Sequence, residues 1–268
     1  MVQGHIPEHE LAAVYEPMVN LILQGSKSMT VGSQTLHYDP ATYFVMSVDL
    51  PAAGVVRSSG SGAPYLAVSL TLDPALIANL FADLPHSAGA IRRDTGFSVA
   101  PVTAELLDAW LRMLRLMNHP SDIPALAPAY EREILYRVLQ GPMGWMLNDI
   151  AAPDTALSRI NRVIQRIRRD YACTLRMEEL AEEAVMSVSA FHRHFKAVTA
   201  LSPLQYQKKV RLLQARTRLV TTRQSVSKVA HDVGYLSSTQ FSREYARVFG
   251  SPPATDAVRI VASLRQHT

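Results

Sequence analysis

The feature that most constrains this chain is a pattern that occurs twice between about residues 177 and 253. Each copy has an apolar pair, a short break with a serine, and an aromatic-x-Arg-x-aromatic segment: Leu180-Ala181, Ser187 and Phe191–Phe195, then Val229-Ala230, Ser237 and Phe241–Tyr245. The offset between copies is 49 residues in the first part and 50 in the second, so the second turn is one residue longer. Two apolar helix faces around a short break are typical of a helix-turn-helix. The tandem copies predict a DNA-binding unit.

The charges of the chain are segregated in the same way. Residues 1–150 carry 8 Lys/Arg against 14 Asp/Glu, a net of −6, whereas residues 151–268 carry 19 against 9, a net of +10. A basic half beside an acidic half indicates that one part meets a polyanion and the other has a different task. We therefore predict two domains, 1–150 and 151–268.

Composition excludes several other classes of protein. A hydrophobic content of 48% excludes a disordered chain. No uninterrupted apolar window approaches the length of a membrane span, and the N-terminus lacks a basic-then-apolar signal pattern. The single cysteine, Cys173, excludes an internal disulfide and is typical of a reducing cytoplasm. Between Tyr171 and Leu175 its thiol is expected to pack in the interior rather than to react.

The sequence pattern of the first half is typical of a small β-barrel or sandwich. Residues 11–24 have apolar positions near helical spacing and predict a short helix or turn. Short β-branched and aromatic runs then predict strands at 42–48, 54–57 and 65–72, with a further one at 96–100. Gly60-Ser61-Gly62 resembles part of a phosphate loop but lacks the Walker lysine, so a hairpin loop is predicted there. Helices are predicted at 74–83, from Thr103 onward, and at 131–140, followed by a linker at 141–153.

In the second half, helix-start signals mark each element. Ser187, Ser202, Ser225 and Ser237 are predicted N-caps, with glutamine completing a capping box after Ser202 and Ser237. Gly234 supplies the positive φ of a tight turn. A helix from about 157 to 171 is expected to present its arginines outward (Arg159, Arg162, Arg166, Arg168 and Arg169), and a long helix, about 203–221, holds the two copies apart.

Each recognition helix must bury one face in its own domain and offer the other to the major groove. The outward residues are Ser189, His192, Arg193 and Lys196 in the first copy and Ser238, Thr239, Ser242 and Arg243 in the second. Arginine suits bidentate contact to guanine, so Arg193 and Arg243 are the leading base contacts; the alternative is that they touch phosphate only. On the connecting helix, Lys208, Lys209, Arg211 and Arg216 are expected to hold the DNA backbone or acids rather than bases. Lys208 and Arg211 are candidate DNA contacts, and phosphate contacts of this kind would set affinity without specifying sequence.

The histidine pairs of the sequence do not have the pattern of a metal site. His192 and His194 are two apart on a helix and point to different sides, and His5 and His9 have no Cys or carboxylate cluster nearby. No metal or cofactor is expected.

The quoted residues resemble the DNA-binding domain of AraC/XylS-type transcription regulators over residues 155–253. The resemblance is carried by Glu179-Leu180-Ala181, Met186-Ser187, 191–196, 201–206, Arg211-Leu212, Ala215-Arg216 and 230–253. It implies seven helices with two helix-turn-helix subdomains in successive major grooves, and base contacts by Ser189, His192, Arg193, Ser238, Thr239 and Arg243. The chain departs from the family after the last proline, where Ala254–Ala257 replaces an aromatic-Arg step.

The first half is similar to the N-terminal domain of one subgroup of these regulators, through Asp49-Leu50-Pro51, 64–70, Leu72-Asp73-Pro74 and 127–139. This implies an α+β two-domain chain, with a cupin-like β-barrel and flanking helices ahead of an all-α tandem helix-turn-helix. His37 is the only histidine in the predicted strands, so the cupin metal pattern is absent. His37, Tyr38 and Tyr43 are candidate effector contacts.

The predicted function is a sequence-specific, cytoplasmic transcription regulator, modulated by a small-molecule effector or partner. Double-stranded DNA, a homodimer partner and RNA polymerase are the expected macromolecular contacts, with no membrane. One alternative is an enzyme whose catalytic barrel, with His37, Asp39 and Asp49 as candidates, is tethered to DNA. Another is an architectural protein that binds DNA without sequence preference.

Overall fold

The computed structural model describes residues 2–4, 11–59, 63–84, 95–152, 154–222 and 224–266. The predictions for Gly60-Ser61-Gly62 and for the His5 and His9 pair lie outside these residues.

Within these ranges the first half forms two antiparallel β-sheets, with strand orders β1-β8-β3-β6-β9 and β2-β7-β4-β5. The strands are β1 (Val2–Gly4), β2 (Leu11–Tyr15), β3 (Met18–Gln24), β4 (Ser26–Val31), β5 (Gln34–Tyr38), β6 (Thr42–Met46), β7 (Leu50–Arg57), β8 (Tyr65–Thr71) and β9 (Phe97–Pro101). Inner side chains of both sheets share one core, which holds Phe44 and Ile22 from the first sheet and Met29 and Val56 from the second. The fold is the predicted α+β arrangement, with cupin-like sheets and flanking helices.

Residues 11–24 form β2 and β3, so the prediction of a short helix there is wrong. In β3, Ile22 packs into the core between the sheets, whereas Val19 and Leu21 pack against helices on the opposite face. A strand that is buried on both faces carries a nearly unbroken apolar run, and such a short run has no distinctive period. The five-stranded sheet is therefore the middle layer of the first half.

Four helices cover that sheet: α1 (Pro74–Ala82), α2 (Ala104–Arg115), α3 (Ile123–Gln140) and α4 (Gly144–Ala151). The side chains of Asp73 and Thr103 cap α1 and α2. The helix predicted at 131–140 begins earlier, because Pro124 lies in its first turn, where the missing N–H is harmless, and Pro128 is accommodated inside it. The predicted linker at 141–153 is wrong over most of its length: Trp145, Met146 and Leu147 bury α4 in the same core as α1 and α3.

The described residues of the second half form seven helices: α5 (Ala156–Arg169), α6 (Met177–Glu183), α7 (Val188–Thr199), α8 (Pro203–Thr221), α9 (Val226–Asp232), α10 (Ser238–Phe249) and α11 (Pro253–Gln266). All four predicted serine caps are present, and Ser202 forms a complete capping box with Gln205. Gln240 instead donates from its side chain to Glu244, so only the serine half of the second predicted box is seen. Gly234 has the predicted positive φ, +89°.

The two helix-turn-helix units differ in how their cores are built. The first unit, α6 and α7, contributes Phe191, Phe195 and Val198 to the same core as the inner faces of the sheets. The second unit, α9 and α10, has a separate core around Val233, Phe241 and part of α8. The sheets are thus docked on the first unit, and α8 carries the second.

Candidate nucleic-acid interface

The predicted recognition helix α7 has one buried and one exposed face. Phe191 and Phe195 are fully buried and meet edge to face, with ring centroids 5.5 Å apart. Arg193 and Lys196 are exposed, and in the described part of the chain neither makes a hydrogen bond or ion pair. Their charges are available to a ligand. Of the other predicted contacts, Ser189 is exposed and His192 half-buried.

Helix α10 repeats this geometry in the second unit. Phe241 and Tyr245 are buried, and their ring centroids lie 5.5 Å apart. Arg243 is exposed and, among the described residues, is likewise without a hydrogen bond or ion pair. The remaining candidates are exposed or half-buried: Ser238, Thr239 and Ser242. Both units therefore present one unpaired arginine at equivalent positions.

The cations of α8 that were predicted as DNA contacts, Lys208 and Arg211, are engaged within the protein, as is Arg216. Lys208 Nζ lies 2.7 Å from Glu244 Oε1 of α10, and Arg216 Nε lies 2.8 Å from the fully buried Asp256 of α11. Arg211 donates four hydrogen bonds to main-chain carbonyls. The geometry does not favour Arg211 as a DNA contact, and burial lowers its pKa below the ordinary arginine value.

A cleft of about 420 Å³ lies between the two units, below the turn that joins β4 to β5. Apolar side chains such as Leu201, Leu212 and Val248 line it, together with Lys196, Lys208 and Lys209. Lysine at such a position contributes positive potential that attracts phosphate without reading sequence.

Arg168 does not belong to the outward arginine face predicted for α5. Its guanidinium forms an ion pair with Asp49, whose side chain is only 3% exposed, and Gln165 donates to the same carboxylate. The hydroxyl of Tyr206, on α8, donates to the main-chain carbonyl of Asp49 at 2.8 Å. Gly96 also donates from its main chain to Val198 of α7 at 3.0 Å. These contacts leave no signal in the sequence, because the partners lie more than 100 positions apart.

The three candidate effector residues are not brought together. His37 is exposed and shares a hydrogen bond with Ser28. Tyr38 is buried between the sheets, where it stacks on Phe44 at 5.2 Å. Tyr43 lies in the other core, against the helices, where burial raises its pKa to about 12. Only Tyr38 faces the interior between the sheets.

The interior also contains polar groups that sequence analysis missed. Lys27 lies directly across from Tyr38 in the strand pairing, and its ammonium stands 4.9 Å from the ring centroid of Tyr15. Burial lowers the pKa of Lys27 to about 8 and raises that of Tyr15 to about 12. The Tyr38 hydroxyl has no hydrogen-bond partner among the described residues. The alternation of side chains along a strand could have identified Lys27, because it falls on the same face as the buried Met29 and Val31.

Other features bear on the alternatives. Within the described ranges, no group of three or more His, Cys, Asp and Glu residues is placed to hold a metal ion. No helix in those ranges has the length and apolar character needed to cross a membrane. Cys173 is exposed, so the expectation that its thiol packs in the interior is wrong; it lies in the loop between α5 and α6, whose carbonyls are held by α8.

Two helix-turn-helix units with exposed arginines, joined to a pair of antiparallel sheets, define a DNA-binding transcription regulator. The sequence matches the AraC-type transcriptional regulator N-terminus family over residues 1–146 and a helix-turn-helix domain family over residues 180–257. The chain belongs to the AraC-type transcriptional regulators. This family assignment supports the regulator interpretation and not the tethered enzyme.

Similar proteins include the HTH-type transcriptional activator RhaS of Yersinia pestis (strain Pestoides F), 28% identical over 109 residues, which are 41% of this chain and 40% of that protein. RhaS of Mannheimia succiniciproducens is 25% identical over 152 residues, 56% of this chain and 54% of that protein. The match thus spans about half or less of these relatives. A crystal structure of unsaturated fatty acid bound ToxT from Vibrio cholerae has a TM-score of 0.60 at 10% identity, covering 91% of this chain and 87% of that one. This likeness shows a shared fold.

Proposed function

We propose that this regulator recognises a specific operator with α7 and α10 in successive major grooves, and that residues 1–150 control how residues 151–268 engage it. Arg193 and Arg243 are the principal base contacts, and Ser189, His192, Lys196, Ser238, Thr239 and Ser242 complete the surface. The observation that carries the proposal is the pair of exposed, unpaired arginines at equivalent positions of the two units.

The control follows from how the sheets dock. Asp49 and Gly96 of the first half are bonded to α5, α7 and α8, so the sheets hold the recognition helix of the first unit directly. A ligand that changes the packing of the sheets would change the position or mobility of α7, because the two share one core. The unpaired Tyr38 hydroxyl and the Lys27 ammonium are the groups that a small-molecule effector would satisfy.

The proposed regulator is an activator that works in the cytoplasm as a homodimer and contacts RNA polymerase. Support for the dimer comes from large apolar side chains that are 38–53% exposed on α2, on the short 3-10 turn after it and at the start of α3: Leu107, Leu111, Met117, Ile123 and Leu126. A contiguous exposed apolar surface is typical of a protein interface. We expect a dimer in light scattering and a monomer after Leu111→Glu; an unchanged mass for the variant would contradict this surface.

The primary test is selection of DNA from a random pool by the full chain, followed by binding to the recovered sites. We expect two short conserved segments about one helical turn apart, with affinity well above that for random competitor. Uniform affinity across all sequences would instead indicate an architectural protein.

A further inference from the structure

The two helix-turn-helix units are joined by more than the covalent connection of α8. Arg211, near the middle of α8, donates to both sides at once: Nε to the carbonyl of Tyr171 at 2.6 Å, and Nη1 to the carbonyl of Gly234 at 3.1 Å. Its Nη2 donates to Ala172 and Cys173 at 3.3 and 2.9 Å. Tyr171, Ala172 and Cys173 are in the loop before α6, and Gly234 is in the turn before α10. We call this arrangement the Arg211 bracket.

The two segments held by the bracket also touch each other directly. Gly234 has a φ of +89°, and a Cβ at this position would stand 2.2 Å from the carbonyl oxygen of Ala172. The turn of the second unit therefore packs main chain to main chain on the loop of the first unit. Only glycine permits both the backbone conformation and this approach.

Tyr171 adds a hydrophobic contact to the bracket. Its ring packs against the cores of both units, and its hydroxyl accepts a hydrogen bond from Arg218 at 3.1 Å. One turn before Arg211, Gln207 donates to the carbonyls of Tyr171 and Cys173 at 2.9 and 2.7 Å. The loop is thus fixed to α8 at several points.

The second recognition helix is fixed to the same part of α8. Glu244 of α10 receives Lys208 at 2.7 Å and the hydroxyl of Tyr235 at 2.9 Å. Tyr235 follows Gly234 directly, so α10 and the bracketed turn are held together. Rotation of α10 relative to α7 would have to break the bracket.

We propose that Arg211 is a positioning residue that fixes the angular phase between the two recognition helices, so that the protein selects the spacing of its two DNA segments. The proposal rests on the proposed use of α7 and α10 in neighbouring grooves. One added base pair moves the second segment by about 3.4 Å and rotates it by roughly 35° about the duplex axis. A rigid pair of helices cannot follow that change without losing base contacts.

The test uses the full chain and duplexes derived from its selected site, with the spacer shortened by one base pair, unchanged, or lengthened by one or two. For the natural chain we expect each change of spacing to weaken binding by at least about tenfold, because it removes the base contacts of one unit. Arg211→Lys keeps the charge but loses the planar fork that holds several carbonyls. We expect it to bind the best site more weakly and to discriminate among spacers by no more than about threefold.

Arg216→Lys is the matched control, since Arg216 is on the same helix and its fork holds Asp256 of α11 without bridging the two units. It should retain the spacer preference of the natural chain. If the natural chain tolerates every spacer, or if Arg211→Lys discriminates as strongly as the natural chain, the proposal is overturned. Failure to select any DNA would instead contradict the proposed function, so the two failures are distinguishable.

A second measurement does not depend on the stability of the Arg211 variant. Spin labels at Glu182→Cys of α6 and His231→Cys of α9, both exposed sites, are introduced after Cys173→Ser. Electron paramagnetic resonance distances in the otherwise natural, DNA-free chain should give one narrow distribution. A broad or multiple distribution would show that the units move independently and would overturn the proposal.

Discussion

Replacing Asp49 by alanine should uncouple the sheets from the first helix-turn-helix unit. The Asp49 side chain is 3% exposed, and it is held by Arg168, which is 29% exposed, and by Gln165. Removing one partner of a buried ion pair costs about 3–5 kcal/mol, because the other charge is left unpaired. Since water can reach part of Arg168, we expect the lower figure of about 2–3 kcal/mol at this contact, or roughly a 30- to 150-fold change in the docking equilibrium.

The two tryptophans make this uncoupling measurable. Trp110 and Trp145 are both buried in the core between the first sheet and its helices, so their fluorescence follows the first half alone. Far-ultraviolet circular dichroism follows all helices, including those of the second half. In denaturant the two signals should change together in the natural chain, whereas in Asp49→Ala the transitions should separate.

A double-mutant cycle with Arg168→Ala isolates the pair. The summed losses of unfolding free energy in the two single variants should exceed the loss in the double variant by at least about 1 kcal/mol, because both single changes remove the same interaction. Coincident transitions in Asp49→Ala, with a stability within about 0.5 kcal/mol of the natural chain, would refute the argument that this contact couples the halves.

Four further changes test individual groups. Arg193→Ala should relax base preference at one operator position by about 1–3 kcal/mol, measured by competition among single-base variants; an equal loss on all sequences would indicate phosphate contact. Lys196→Ala should weaken binding uniformly and lower the salt slope by about 0.9, whereas an unchanged slope would argue against a phosphate contact. Burial raises the pKa of Asp256, but the hydrogen bonds that it accepts prevail and hold that pKa below the ordinary value of 3.8. Asp256 therefore stabilises the fold above pH 3.8, and this contribution is lost as pH falls through its lower pKa in the folded state. In Asp256→Asn, the free energy of unfolding from denaturant titrations should not show this part of the loss in acid. Lys27, whose pKa falls from 10.5 to about 8 on burial, opposes folding while it is charged; Lys27→Met should raise the melting temperature at pH 7, with the gain shrinking as pH rises from 8 to 10.5.

The DNA-binding half was predictable because its signals are local. The interval 203–221 predicted for the long helix agrees with α8, since Ser202, Pro203 and Gln205 together specify a helix start within four residues. The aromatic pairs four residues apart in α7 and α10 identified the buried faces, and so the exposed ones, without knowledge of the rest of the chain.

The first half was harder because burial there is decided by distant layers. β3 is covered on both faces and α4 fills a space between other helices, so neither shows the alternation or polar face that marks a surface element. The roles of Arg168 and Arg211 were equally hidden. Arg168 pairs with a carboxylate in the first half. Arg211 donates to main-chain carbonyls, which every residue has, so no sequence pattern marks them.

The core shared by the sheets and the first helix-turn-helix unit limits how such a regulator can be rebuilt. Phe195 and Val198 pack with side chains that belong to the first half, whereas Phe241 and Tyr245 pack in a second core with α8, α11 and Tyr171. A chimera that borrows a foreign N-terminal half must therefore bring a surface shaped to fit α7. The distal unit has a second core, so new operator specificity can be grafted there, provided that the graft keeps the Gly234 turn and the Glu244 carboxylate that fix this unit to the loop before α6 and to α8.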